Sequence, residues 1–214
     1  MKTKKNNQAH QVTYLFGINP ILESLRAHRR KIVCLYSKTK ASHIDSSIRS
    51  LCTQRSIPIK EVPATTLTRL AGNPQHQGLV ALTTDFPYQK KFFDPQHAPL
   101  LLLLDGIQDE RNLGALLRSA YCTGINGVIL TTKKSALYSP VACKSSAGFG
   151  EHLALYQTPT SADIVPQLKK AGYHLYLTTF DGINLLEATF TAPLCIIIGS
   201  EGEGINKKIL REGI

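Results

Sequence analysis

The hydrophobic pattern of the chain changes period at regular intervals. Leu100-Leu101-Leu102-Leu103-Leu104 is a continuous apolar run between Pro99 and Asp105-Gly106. It predicts a strand buried on both faces. A polar loop follows, Ile107-Gln108-Asp109-Glu110-Arg111. Asn112 then reads as a helix cap, with Leu113, Leu116, Leu117, Ala120 and Tyr121 at helical spacing behind it. Gly124 ends that helix, and Val128-Ile129-Leu130 opens the next strand. Strand, helix and strand make a βαβ unit, whose ligands bind where strands end and helices begin.

The same alternation continues to the end. Ser139-Pro140 opens a helix, and Thr160 or Ser161 caps another that runs through Ile164, Val165 and Leu168. Tyr173-His174-Leu175-Tyr176-Leu177 and Leu194-Cys195-Ile196-Ile197-Ile198 are strands. This order predicts a parallel sheet covered by helices. Ahead of it lies a smaller α/β pattern. Residues 1–13 are polar and read as a disordered basic tail. Tyr14-Leu15-Phe16-Gly17 leads into a helix with Asn19 as cap and Pro20 at its first position. Ile32-Val33-Cys34-Leu35-Tyr36 is a strand, residues 43–54 a helix, and Ile57-Pro58-Ile59 the start of a strand. Thr65 or Thr66 caps a short helix ending near Gly72, and Leu79-Val80-Ala81-Leu82 closes the module. Residues 85–98, with Pro87, Lys90, Lys91 and Pro95, read as a linker. The domains expected are therefore 14–84 and 99–214.

Charge separates the two modules further. Residues 1–40 carry nine Lys/Arg against one acid, residues 41–98 six against four, and residues 99–214 ten against ten. The N-terminal part thus attracts polyanions, with Arg26, Arg29, Arg30 and Lys31 beyond the tail as candidate RNA contacts. Five scattered cysteines form no C-x-x-C pair, and the seven histidines have no ligand spacing. This argues against a metal and a disulfide framework, and for a reducing, cytoplasmic setting. Cys34 and Cys195 lie in apolar runs and read as inert packing. There is no secretory h-region and no apolar run long enough to span a bilayer, so no membrane role is expected.

Two segments carry candidate chemistry. Alone, the first reads as an Asn cap and a solvated Arg118. The second, Gly199-Ser200-Glu201-Gly202-Glu203-Gly204-Ile205, follows a buried strand, where glycines admit close backbone approach to a ligand. It lacks the Gly-Lys-Ser/Thr of a phosphate loop, and its glutamates would repel phosphate. An acidic glycine loop suits a ligand with hydroxyls, amides or positive charge. It sits at the wrong end of the sheet sequence for a dinucleotide oxidoreductase.

Together the two become specific. Asn112-Leu113-Gly114, then Arg118, Ala120 and Gly124, resembles the first signature of the SpoU (TrmH-like) RNA ribose methyltransferases. Ile196-Ile197-Ile198-Gly199-Ser200-Glu201-Gly202, then Gly204, resembles their second. Lys144-Ser145-Ser146-Ala147-Gly148 and Glu151 fit as well. Phe16-Gly17 and His76-Gln77-Gly78 resemble members that carry a ribosomal-protein-like RNA-binding domain.

The resemblance implies an α/β fold: a small N-terminal RNA-binding domain plus an α/β-knot (SPOUT) methyltransferase domain. It implies S-adenosyl-L-methionine as cofactor and transfer of its methyl to a ribose 2′-hydroxyl. A guanosine of large-subunit ribosomal RNA is the first substrate expected, and transfer RNA the alternative. Asn112, Arg118 and Glu201 match the catalytic positions. Gly199 and Gly202, with Thr178, Thr179 and Gly182 on the neighbouring loop, match cofactor contacts. A homodimer through the catalytic domain is expected. The family's third signature, a Ser-Leu-Asn-Val-Ser-like helix start, has no match before Ile214. The expectation is a methyltransferase domain truncated at its C-terminus, with a non-catalytic RNA-binding remnant as the competing reading.

Overall fold

The computed structural model describes residues 12–39 and 44–211. It divides into two compact units, Met1–Pro87 and Tyr88–Ile214. In the first, β1 (Val12–Phe16), β2 (Ile32–Lys38), β3 (Ile59–Val62) and β4 (Leu79–Thr84) form one sheet in the order β1-β4-β2-β3. Strand β4 runs antiparallel to both neighbours, while β2 and β3 are parallel. Helices α1 (Ile18–Ala27), α2 (Ser46–Gln54) and α3 (Ala64–Ala71) bury Ile21, Leu25, Ile48, Cys52 and Leu67.

Several local expectations are corrected here. Of the expected tail, Val12 and Thr13 pair with Thr84 and Thr83 in the sheet, while residues 1–11 lie outside the described residues. Gly17, at φ 98°, occupies the cap of α1 in place of Asn19, and Pro20 is the third helical residue. A positive φ at this corner favours glycine over any residue with a Cβ. Asp45 caps α2 through Ser47 N and Ile48 N; residue 43, the expected start, lies outside the described residues. Pro63 stands at the cap of α3, so neither Thr65 nor Thr66 caps it.

The second unit holds five parallel strands: β5 (Leu100–Asp105), β6 (Gly127–Thr131), β7 (Leu155–Thr158), β8 (His174–Leu177) and β9 (Leu194–Gly199). Their order is β7-β6-β5-β9-β8. Helices α4 (Glu110–Cys122), α5 (Pro140–Ser145) and α6 (Ser161–Lys170) lie between strands, and α7 (Lys207–Arg211) follows β9. The central strand β5 is buried on both faces because its period-2 side chains are all leucine. Leu101 and Leu103 pack with Ile129, Ile197, Leu168 and Ile209 in one core cluster.

The segment expected as linker packs from Tyr88 onward. Gln89 bridges to Tyr156, and Tyr173 Oη donates to the Ala98 carbonyl at 2.8 Å. Phe93 fills the space above Gly127, where a Cβ would stand 2.1 Å from the ring. Lysines and prolines in the segment mask its buried aromatic residue. Ser139 caps α5 as expected, and Thr160 with Asp163 makes a capping box on α6. Among the described residues no helix is long and apolar enough to cross a membrane.

Candidate active site

Strand order sets the site. The chain runs from β5 outward through β6 to β7, crosses to β8 at the opposite edge, and comes back to β9 on the other side of β5. That reversal opens a crevice beyond the carboxyl ends of the strands. Asp105, the last residue of β5, is buried, and its Oδ2 accepts from the Asn206 backbone N–H at 2.9 Å. Gly106 follows at φ 76°, its N–H donating to Thr131 Oγ1 at 2.9 Å. These bonds tie the ends of β5 and β6 to the segment after β9. Around them lies a cleft of about 990 Å³, lined among others by Gln108, Thr131, Thr160 and residues 202–207.

The loop after β9 closes on itself. Ser200 and Gly204 exchange backbone bonds of 3.1 and 3.0 Å, and Glu203 N donates to Ser200 Oγ. A Cβ on Gly199 would stand 2.2 Å from the carbonyl carbon of Gly204, so the turn demands glycine for its own packing. At Gly202 a Cβ would meet nothing within 4 Å, so its surface side is open.

Helix α4 begins one turn earlier than expected. Asp109 is its cap, accepting from Arg111 N at 2.6 Å, and Glu110 complements the positive end of the helix. Asn112 is therefore a first-turn residue, and its side chain is available for another contact. Asn112 Nδ2 donates to Glu201 Oε1 at 2.6 Å, joining the two candidate motifs across the crevice. Gly114 lets α5 lie against this turn: a Cβ there would stand 2.5 Å from the Ala142 carbonyl oxygen. Ser145 Oγ donates to the Arg111 carbonyl at 2.7 Å and fixes the same turn.

Arg118 is exposed on α4, six residues beyond Asn112 and thus about 9 Å further along the axis. It is not brought into contact with the Asn112–Glu201 pair. Thr178 caps β8 beside β9, its N–H and Oγ1 both donating to the Ile197 carbonyl at 3.1 Å. Thr179 and Gly182 lie on the exposed loop after it, where Phe180, Ile183, Leu185 and Leu186 also face outward. Glu151 is buried and accepts from Cys143 Sγ at 3.6 Å. Burial pushes the neighbouring Lys144 ammonium below the usual lysine range. It pushes the Cys195 thiol up to about 12, in keeping with inert packing.

The basic residues of the first unit are not equivalent. Arg30 is only 6 % exposed, its guanidinium 5.1 Å from the Phe86 ring centroid, so it is packed rather than presented to RNA. That corrects its assignment as a contact. Arg29 is half-buried over the same ring, and Arg26 pairs with Glu23 at 2.7 Å. Lys31 is exposed.

The sequence assigns no role to Asp105, Thr131 or Ser145. Asp105 had a signal, a carboxylate ending a fully apolar strand. The other two are ordinary hydroxyls whose bonds exist only once the fold is formed.

Family models match both units. Residues 99–212 match the model described as the SpoU rRNA Methylase family, and residues 14–89 match that of RNA 2′-O ribose methyltransferase substrate binding. The chain belongs to the SpoU rRNA methylase family. It is 28% identical over 207 residues to a Staphylococcus aureus protein described as a TrmH-family tRNA/rRNA methyltransferase, covering 92% of this chain and 82% of that one. The crystal structure of an RNA 2′-O ribose methyltransferase superposes with a TM-score of 0.79 at 23% identity, covering 98% of this chain and 79% of that one. An AdoMet-bound rRNA methyltransferase from Sinorhizobium meliloti gives 0.76 at 19% identity, covering 94% and 75%. The fold is thus that of the SPOUT methyltransferases, as the two signatures implied.

Proposed function

We propose that this chain transfers the methyl group of S-adenosyl-L-methionine to a ribose 2′-hydroxyl of RNA. A guanosine in large-subunit ribosomal RNA is the first candidate target, and transfer RNA the second. The observation that carries the reading is the Asn112–Glu201 bond, which sets an amide and a carboxylate at the carboxyl edge of the sheet. The S. meliloti relative, solved with AdoMet bound, supports the choice of cofactor.

The edge between β8 and β9 fits that cofactor. Thr178, Thr179 and Gly182 lie on one exposed loop, and Gly199 turns the other back on itself so that Gly202 presents an open surface. Exposed Phe180, Ile183, Leu185 and Leu186 offer apolar area for a purine. Glu201 and Glu203 offer negative charge to a sulfonium. When bound, the cofactor supplies an electrophilic methyl carbon whose bond to sulfur breaks with its electron pair returning to sulfur.

The protein's task is then to bring the ribose oxygen in line and weaken its O–H bond. Asn112 holds the Glu201 carboxylate in one orientation, so a hydroxyl arriving there meets a fixed acceptor. Arg118 serves as a phosphate fork rather than as a base. The homodimer expected of the fold would set Arg118 beside a partner's crevice, which accounts for its distance from Asn112.

The test is transfer of label from methyl-labelled S-adenosylmethionine to ribosomal and transfer RNA. Alkaline hydrolysis follows, because a 2′-O-methyl blocks cleavage of the adjoining phosphodiester. The expected product is one alkali-stable dinucleotide. Label on a base, or none with either RNA, would end the proposal.

A further inference from the structure

Residues 99–214 are neutral by count, yet their charges are not mixed. Lys133 and Lys134 follow β6, and Lys207 opens α7; all three line the cleft beyond the strand ends. Lys208 stands beside them. The acids at the same place are Asp105, Glu203 and Asp163. Asp105 is committed to Asn206 N, and Asp163 to the Thr160 cap. Lys133 and Lys208 both help to hold the Asp163 carboxyl below its usual range, behind its bonds to Thr160. Among the described residues none of Lys133, Lys134 and Lys207 has an ion-pair partner.

The turn that presents the first two is built rather than loose. Thr131 Oγ1 lies 2.7 Å from Ser135 Oγ, which donates to the Lys133 carbonyl at 3.0 Å. Lys133 N donates to the Pro159 carbonyl at 3.1 Å. Lys134 itself takes φ 53°, a conformation glycine or asparagine adopts at lower cost. A lysine held there points to a use for its charge. Like charges gathered without partners repel one another, and a bound polyanion relieves this. Ser200 and Gly202, on either side of Glu201, line the same cleft, so an anion there lies one residue along the loop from the Asn112–Glu201 pair.

We propose that Lys133, Lys134 and Lys207 form a phosphate-binding wall that holds the RNA backbone next to the nucleotide being methylated. The proposal rests on the reading of the chain as an RNA methyltransferase. It divides the work between units: the N-terminal unit captures RNA, and this wall sets the strand in the cleft. Neutrality of residues 99–214 as a whole is then a consequence of acids placed elsewhere.

The test compares wild type with a Lys133→Gln, Lys134→Gln, Lys207→Gln variant and with the three arginine replacements. All three lysines are exposed, so the replacements leave the core intact, and thermal melts check this. Binding of a mixed-sequence single-stranded RNA is measured without cofactor at several salt concentrations. Each lost phosphate contact lowers the slope of log K against log salt by about 0.7, so the glutamine variant should lose about 2. The arginine variant should keep the wild-type slope. An unchanged slope in the glutamine variant overturns the wall, even if wild type methylates RNA. A lowered slope with no methylation by wild type supports the wall and sinks the catalytic reading. Loss of inorganic phosphate binding with RNA binding unchanged also overturns it, since the cleft would then hold a small anion.

Discussion

Asn112 Nδ2 and Glu201 Oε1 are 2.6 Å apart although 89 residues separate them in the chain. The bond is charge-assisted, and both residues are exposed, so it organises the site more than it stabilises the fold. Asn112→Ala and Glu201→Gln should each cut the methylation rate by about 100-fold or more, the range seen when a group acting on the reacting proton is lost. Unfolding free energy should change by less than about 1 kcal/mol. Asn112→Asp is the sharper probe. Two carboxylates at this distance repel, and one proton shared between them restores a hydrogen bond. Its activity should therefore recover as pH falls into the acidic range, where Asn112→Ala shows no recovery. A flat pH profile for Asn112→Asp would separate the bond from catalysis.

Gly114→Ala tests the contact that holds this turn of α4. Alanine is the better helix former by roughly 1 kcal/mol. Its Cβ, however, would stand 2.5 Å from both the Ala142 carbonyl oxygen and Ser145 Cβ. Backbone cannot swing away, so overpacking should win, with a net loss of about 1–3 kcal/mol in denaturant unfolding. Methylation should fall as well, because moving the turn moves Asn112. A stability gain would show that α5 yields easily.

Much of this architecture was legible because buried parallel strands are nearly pure apolar runs. Leu100–Asp105 and Leu194–Gly199 are both of this kind. Strand β7 carries no such signal, being four residues long with Tyr156 and Gln157 in its middle. The apolar period places the start of α4 three residues late because Asp109-Glu110-Arg111 carries none of it. An aspartate cap followed by a first-turn acid was the signal there. Charge was legible only as a sum. The burial of Arg30 against Phe86, and the gathering of Lys133, Lys134 and Lys207 at one cleft, depend on contacts between distant segments.

Arg29 and Lys31 should be separable from Arg30. Arg30→Ala removes a guanidinium packed against the Phe86 ring, an interaction worth about 0.5–2 kcal/mol, and opens a buried space as well. It should destabilise the protein by about 1–3 kcal/mol. Arg29→Ala with Lys31→Ala should cost less stability and lower the salt slope of RNA binding. Paired chemical denaturation and RNA titration check this. Equal stability losses in the two variants would place Arg29 and Lys31 in the fold as well.

Arg118 offers the widest separation between a functional and a structural reading. It is exposed on α4, away from the buried stripe of Leu113, Leu117 and Ala120, so nothing in its packing requires a guanidinium. As a plain surface residue its replacement by alanine would change stability by no more than about 0.5 kcal/mol and leave methylation intact. As a fork on the phosphate beside the target ribose, it makes its best contact when the nucleotide is aligned for transfer. Arg118→Ala should then lower single-turnover methylation far more than RNA affinity, because the lost interaction belongs to the transition state. Binding of S-adenosylmethionine should be unaffected. Arg118→Lys should restore charge without the two parallel N–H donors, and so recover affinity more than rate. Mixing Arg118→Ala with Asn112→Ala protomers tests the homodimer at the same time. If Arg118 serves its partner's crevice, the mixed dimers regain one intact site and part of the wild-type rate. Mixtures as inactive as either variant alone would confine Arg118 to its own subunit.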